Sequence, residues 1–340
     1  MLPLLHHHLK SCPELHASVL AALSQASEVS ARHSLRLAAE MLRLFDRFAA
    51  ADVNAVPYKG PTLAARCYGN LALRPFRDLD FFIRAADLAQ AERVLAADGY
   101  RPAPNRTPRQ EAAARAATNE AVFWRHDDVV ELHWAFAPRE FPIPLDFDQV
   151  RTKLEPVALS ARSVPTLCDE HLLLVLCAHG AKHRWERLEW IRDLAELLRR
   201  ARSLDLPGAL ERARTLGTER MVLLGLRLAI EVLDTRLPDD IRRRVLADIA
   251  VARLAEQART GLFHHTPGTL YKPWELRPFQ LAARERWRDR LRGSASIAVT
   301  LTPGDWEWVR LPDRLYALYY LLRPMRLILK YLRWLRSGDQ

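Results

Sequence analysis

Apolar residues recur along this chain of 340 residues with two different periods, and the change between them divides it. Between Val29 and Ala51 they return at helical spacing, at Leu35, Leu37, Ala38, Met41, Leu42, Leu44, Phe45 and Phe48, which predicts one amphipathic helix. Before it, residues 1–27 suit short amphipathic helices punctuated by Pro3 and Pro13. A short apolar strand, Ala55-Val56-Pro57-Tyr58, follows and stops at Lys59-Gly60-Pro61. Thr62 to Tyr68 has the pattern of a helix, ended by a turn at Gly69-Asn70, and Asp78-Leu79-Asp80-Phe81-Phe82-Ile83 that of a strand. Residues 87–97 predict a second helix, closed by Asp98-Gly99, with Tyr100 opening another strand. Residues 103–119 carry little pattern and are expected to form a mobile loop or short helix. Two apolar runs, Ala121 to His126 and Val129 to Phe136, flank Asp127-Asp128 as a β-hairpin. Val157 to Leu159 and Ser163-Val164 make a smaller one.

From Thr166-Leu167-Cys168-Asp169 onward the period is helical almost to the end. That stretch fits an N-cap at Thr166 with an acidic third position, leading a buried helix from Glu170 to about Trp185. Residues 194–260 predict further helices with breaks at Pro207-Gly208, Gly217 and Pro238, and residues 261–312 carry no chemical assignment. Arg314 to Arg336 holds six Lys or Arg and no acid. Pro324 is expected to open its second helical stretch, with Leu327, Ile328, Tyr331, Leu332 and Leu335 on one apolar face. The expectation is that this face is buried, Leu327, Tyr331 and Leu335 included, closing the helical domain. A peripheral contact of this basic helix with an anionic membrane is the other reading. The fold class is therefore α+β: N-terminal helices over 1–28, a mixed-sheet core over 29–165 and an all-helical domain over 166–340.

Composition narrows the partners. A hydrophobic content of 49% with 27% charged residues belongs to a soluble globular chain, and the net charge of +10 favours an anionic partner. Cys12, Cys67, Cys168 and Cys177 show no Cys-x-x-Cys spacing, which argues against a zinc site or disulfide framework and fits a reducing cytoplasm. No signal peptide is visible, and no uncharged apolar run reaches the roughly 18 residues of a membrane span. His6 to His8 are taken as a surface feature.

Asp78 and Asp80 stand at i and i+2 of a strand, so both point to one face, while Leu79 and Phe81 point to the other. Two neighbouring carboxylates in a partly buried strand repel unless a cation lies between them, and an oxygen-rich pair of this kind suits Mg2+. In the second strand of the hairpin, Glu131 and His133 share a face opposite Val130, Leu132 and Trp134. His133 is expected to orient Glu131 rather than bind metal itself. Further on, His179, Lys182 and His183 share one helical face as i, i+3 and i+4, a cationic surface suited to a triphosphate. Asp193 is expected to pair with one of these cations or with Arg184.

Tyr58-Lys59-Gly60, Tyr68-Gly69, Arg74 and Arg77-Asp78-Leu79-Asp80 together resemble the DNA polymerase β-type nucleotidyltransferase superfamily, and within it the bacterial group known as the uncharacterised nucleotidyltransferase family. The likeness runs from about Ser30 to the C-terminus and includes the His-x-x-Lys-His-x-Trp run. It implies transfer of a nucleoside monophosphate from an NTP, expected to be ATP, to an acceptor hydroxyl or other nucleophile, with two Mg2+ ions. Asp78 and Asp80 would be ligands of both, and Glu131, matching the superfamily's third carboxylate, would complete one. Lys59, Gly60, Arg74, His179, Lys182 and His183 would bind the nucleotide. One departure stands out: Gly60 is followed by Pro61 where the superfamily has Gly-Gly or Gly-Ser, so a phosphate contact must come from elsewhere. A non-catalytic nucleotide-binding module stays open on that account. A nucleic-acid terminal transferase is the other alternative, although the dispersed basic residues give no groove for nucleic acid. The acceptor, whether small molecule, peptide or protein, is not written in the chain.

Overall fold

The computed structural model describes residues 2–102, 107–138, 141, 143–201, 204–264 and 273–337. Its first half runs α1 (Leu2–Leu9), α2 (Ala17–Ala50), β1 (Ala55–Pro57), α3 (Gly60–Tyr68), β2 (Asp78–Ile83), α4 (Leu88–Ala97), β3 (Arg101–Pro102), α5 (Pro108–Thr118), β4 (Glu120–Arg125) and β5 (Asp128–His133). A short α6 (Phe147–Arg151) and the hairpin β6 (Leu154–Leu159) and β7 (Arg162–Leu167) follow. The rest is helical: α7 (Asp169–Lys182), α8 (Leu188–Arg200), α9 (Leu206–Leu216), α10 (Glu219–Leu233), α11 (Asp239–Ala247), α12 (Ile249–His264), α13 (Pro273–Ala282), α14 (Trp287–Val299), α15 (Pro303–Trp308) and α16 (Leu318–Ser337).

β1 to β5 form one mixed sheet in the order β1-β2-β5-β4-β3, with β2 and β5 parallel and the other neighbours antiparallel. Period-two alternation gives the sheet two apolar faces. Leu79, Phe81, Ile83, Val130 and Leu132 pack against Leu37, Met41, Leu44 and Phe48 of α2 and Ala91, Val94 and Leu95 of α4. On the other face Val56, Tyr58 and Phe82 join a second core with α7, α8 and α10. The edge strand β1 is held to the helical half by Thr166, whose hydroxyl donates to the Pro57 carbonyl at 2.6 Å.

Several elements differ from their sequence reading. α2 runs unbroken through residue 28, because no Gly or Pro interrupts Ala17 to Ala50. The hairpin turn falls at His126-Asp127, one residue earlier than expected, with His126 in the left-handed region at φ 52° and Arg125 opposite Asp128. Thr166 belongs to β7 and is not a cap; the N-cap of α7 is Cys168. α7 also stops at Lys182, three residues before Trp185. There the chain folds back so that the buried indole covers Gly180, where a Cβ would come within 2.4 Å of the ring.

The largest difference is at α16. Pro324 lies inside this helix, and the helix turns two of its cations inward: Arg323 is buried against Asp305, and Arg326 reaches the same carboxylate at 2.6 Å. The expected buried face is therefore rotated outward, with Ile328 58% and Leu332 45% exposed and Leu327 only half-buried. A buried guanidinium needs a carboxylate more than a leucine needs cover, since an unpaired buried charge costs several kcal/mol, roughly twice a leucine side chain. The side chains of Tyr331 and Leu335 lie outside the described residues. Residues 265–272, in the stretch without a chemical assignment, lie outside as well. Among the described residues no helix is long and apolar enough to cross a membrane.

Candidate active site between the sheet and helix α7

The parallel pairing of β2 and β5 sets the site. Its register places Asp80 opposite Glu131 and Asp78 opposite Val129, so Asp78, Asp80, Glu131 and His133 share the face turned toward α7. A slip of one residue would send Glu131 to the α2 side. Ligand-type atoms of Asp80, Glu131 and His133 all lie within 4.8 Å of one another. His133 Nε2 sits 3.2 Å from Asp80 Oδ1 and 3.2 Å from Glu131 Oε2. Its Nδ1 is 3.6 Å from Glu120 Oε2, and its ring meets Tyr58 edge to face at 5.6 Å.

Lys59 enters from the start of α3 and donates its ammonium to Asp80 Oδ1 at 3.2 Å. Gly60 makes that entry feasible. Its φ of 50° is left-handed, and a Cβ there would stand 3.1 Å from the Asp78 carbonyl oxygen, so the backbone passes close to the carboxylate strand. Pro61 starts the helix without an N–H, and the Thr62 hydroxyl donates to the Lys59 carbonyl at 2.9 Å. The first turn of α3 thus has one backbone donor fewer to offer an anion.

The charges are unequal in their burden. Burial works against an ionised Asp80, but Lys59 and His133 overcome it and hold the carboxyl well below the usual range. Among the described residues Asp78 has no such partner at hydrogen-bonding distance; burial, with Asp80 and Glu131 as like-charged neighbours, pushes it up to about 6. Although burial works to lower it, His133 is held up at about 9 by its hydrogen bonds to Asp80 and Glu131, so it is an imidazolium at neutral pH. Lys59 is raised too, since Asp80, Glu131 and Asp78 outweigh its desolvation. Without metal, two protein cations therefore take up the charge of three carboxylates.

On the α7 side, His179, His183 and Trp190 form a ring cluster, with His179 4.8 Å from His183 and 4.9 Å from Trp190 between centroids. The expected cationic face is corrected here. Burial drives His179 well below its ordinary value, helped by Lys59, His183 and Lys182. His183 falls to about 3 by burial and the nearness of Lys182 and Lys59. Both imidazoles are neutral at pH 7, which leaves Lys182 as the charge on that face.

Arg74 and Asp193 also depart from expectation. Asp193, from α8, does not pair with the α7 cations or Arg184. It accepts from Arg74 Nε at 3.0 Å on both oxygens and from Nη2 at 2.9 Å, and from the Tyr68 hydroxyl at 2.6 Å, while Arg192 donates to that hydroxyl at 2.8 Å. This buried network ties the turn after α3 to α8, although Arg74 stays close enough to lower the pKa of Asp78. Glu120, Tyr58 and Trp190 were not singled out as site residues in the sequence. Glu120 could have been found: counting back from a turn at His126-Asp127 puts it opposite His133.

The mixed sheet thus carries paired aspartates on the strand after a glycine-led helix, and a third acid on its parallel neighbour. The chain belongs to the uncharacterised nucleotidyltransferase family, whose model matches residues 1–234. Among solved structures it is similar to the antibiotic-resistance factor ANT(2'')-Ia, at 12% identity and a TM-score of 0.38 over 54% of this chain and 93% of that one. No curated protein matches the chain.

Proposed function

We propose that the protein transfers a nucleoside monophosphate from an NTP, ATP in the first instance, to a hydroxyl-bearing acceptor, in a reaction that depends on Mg2+. The observation that supports this most is the β2–β5 register, which gathers acids from two distant segments on one face beside Lys59. The donor set fits a divalent cation. Three carboxylates share one face, one of them held up at about 6 by the others and by burial, and a bound cation would relieve that repulsion. Asp78, Asp80 and Glu131 would hold two Mg2+ ions, which when bound supply charge neutralisation for the triphosphate and the leaving pyrophosphate.

The chain's own groups do the rest. Lys59, beside the carboxylates, and Lys182, at the end of α7, bind phosphate oxygens, and Gly60 lets the backbone approach a phosphate where Pro61 cannot donate. The neutral imidazoles of His179 and His183 donate N–H groups to the same oxygens. Arg74, fixed by Asp193, adds positive potential toward Asp78. Glu131 accepts the proton of the acceptor hydroxyl as its oxygen attacks the α-phosphorus and the bond to pyrophosphate breaks. His133, bonded to both Asp80 and Glu131, keeps the two carboxylates in register for this.

The test is incubation of the protein with Mg2+, each NTP and panels of hydroxyl-bearing acceptors, including its own chain, followed by mass spectrometry for an added nucleotide. Transfer that disappears in Asp80→Asn is the expected result. Tight NTP binding without transfer to any acceptor would reduce the protein to a nucleotide-binding module, and transfer by Asp80→Asn at the parental rate would overturn the site.

A further inference from the structure

One member of the cluster beside the paired aspartates is not a carboxylate. Among the described residues, Asp80, Glu131 and His133 are the one set of three metal-type side chains whose ligand atoms all lie within 4.8 Å of one another. Strand alternation presents His133 to this set just as it presents Glu131, two residues earlier on β5. The residue is 5% exposed, and its ring is packed in place. Tyr58 meets it edge to face, and Phe136, stacked on Phe82 at 4.1 Å, backs Tyr58. A fourth acid stands at the other ring nitrogen. The β4–β5 ladder puts Glu120 directly opposite His133, with Oε2 3.6 Å from Nδ1, while Nε2 faces Asp80 and Glu131. One imidazole nitrogen between two carboxylates, with an outer carboxylate at the second, is the arrangement of a metal-ligating histidine. The spacing agrees. Nε2 lies 3.2 Å from Asp80 Oδ1 and from Glu131 Oε2, and two metal bonds of about 2.1 Å at a right angle span about 3 Å.

We propose that His133 joins Asp80 and Glu131 as a ligand of the divalent ion that Glu131 completes, and that this ion is Mn2+ in preference to Mg2+. The inference rests on the divalent-cation reading of the site given above and adds a nitrogen to its donor set. That nitrogen decides the metal. Mg2+ is held by oxygen ligands, whereas an imidazole donor favours first-row transition ions, from Mn2+ onward, over Mg2+. The ion takes the place of the proton that joins Nε2 to the two carboxylates in the metal-free protein, and that proton leaves to water. Asp78 with Asp80, an all-oxygen pair, keeps Mg2+ for the triphosphate. Glu120 is a positioning residue: from the Nδ1 side it orients the ring and makes Nε2 a better donor.

The experiment is electron paramagnetic resonance on the full chain titrated with Mn2+ in the absence of nucleotide, with spin-echo envelope modulation read on the bound ion. Saturable binding is expected, with the nitrogen modulation of a directly bound imidazole, which changes when the histidines carry nitrogen-15. His133→Gln should lose that modulation and bind Mn2+ roughly tenfold more weakly or worse. In Glu120→Gln the modulation should persist while affinity falls by roughly tenfold or more, and Glu120→Asp should recover most of the loss. Mg2+ should displace Mn2+ from His133→Gln at a much smaller excess than from the parent. Should His133→Gln fail to fold, the parent and Glu120→Gln spectra decide. Bound Mn2+ without imidazole modulation, or modulation that survives in His133→Gln, overturns the proposal and leaves the carboxylate site standing. Unchanged Mn2+ affinity in Glu120→Gln overturns the role of Glu120. No saturable Mn2+ binding in the parent overturns both the proposal and the divalent-cation reading beneath it.

Discussion

Asp78 and Asp80 stand two residues apart on one strand, yet replacing each by asparagine should move stability in opposite directions. Asp78 is the strained member. Its carboxyl is raised from 3.8 to about 6 by burial and by Asp80 and Glu131, so the folded protein holds the proton more tightly than the unfolded chain does. Stability is then lost as pH rises from the unfolded value through the folded one, and the loss is complete above about 6. A shift from 3.8 to about 6, at ~1.4 kcal/mol per unit, corresponds to about 3 kcal/mol of destabilisation at neutral pH. Asp78→Asn removes it. In EDTA, urea unfolding followed by far-UV circular dichroism should show the variant more stable than the parent at pH 7.5, by up to that amount, with the gap closing toward pH 4. The same variant should lose Mg2+-dependent nucleotide transfer. A gap that is absent or independent of pH would refute the claim that the carboxylates repel in the metal-free site.

Asp80→Asn should do the reverse without metal, costing on the order of 3 kcal/mol, because it strips the partner from Lys59 and His133 in a buried setting; an equal or higher unfolding midpoint would contradict the ion pairs. His133 carries its own pH signature: its pKa is raised from 6.5 to about 9, so its contribution is fully present below 6.5 and vanishes as pH rises through 9. His133→Gln should therefore cost about 3 kcal/mol at pH 6 and little at pH 9.5, with the imidazole titration read directly by NMR. Gly180→Ala should destabilise by about 1–3 kcal/mol although alanine favours helix, since the new methyl meets the buried Trp185 ring; a higher melting temperature would show that the indole moves aside easily.

The order of elements and the faces of the strands were legible in the chain because they rest on local periodicity. Alternation along Asp78 to Ile83 and along Val129 to His133 needs no knowledge of neighbours, and it already turned Asp78 with Asp80, and Glu131 with His133, to one side of each strand. The apolar spacing of α2 and α7 is local in the same sense. Boundaries held less well where a single backbone torsion decides them, as at the His126-Asp127 turn, or where a distant packing partner does, as when the Trp185 ring ends α7 early over Gly180.

Which strands pair is a different kind of fact. Only the parallel docking of β2 on β5 brings Asp80 to Glu131; the carboxylates gathered there raise Lys59 and His133 against their burial, while burial itself lowers His179 and His183. The sequence displays a histidine-rich helical face; the interior makes its imidazoles neutral, because desolvation disfavours their charged form. The same holds for the long cationic side chains. Arg74 is spoken for by Asp193, and Arg323 and Arg326 of α16 by Asp305, each at a sequence distance that no period can report. A basic amphipathic helix determines by itself that it has two faces. Which one turns inward was settled by a buried carboxylate on another helix, since a guanidinium left in the interior without a counter-charge costs more than a row of leucines left in water.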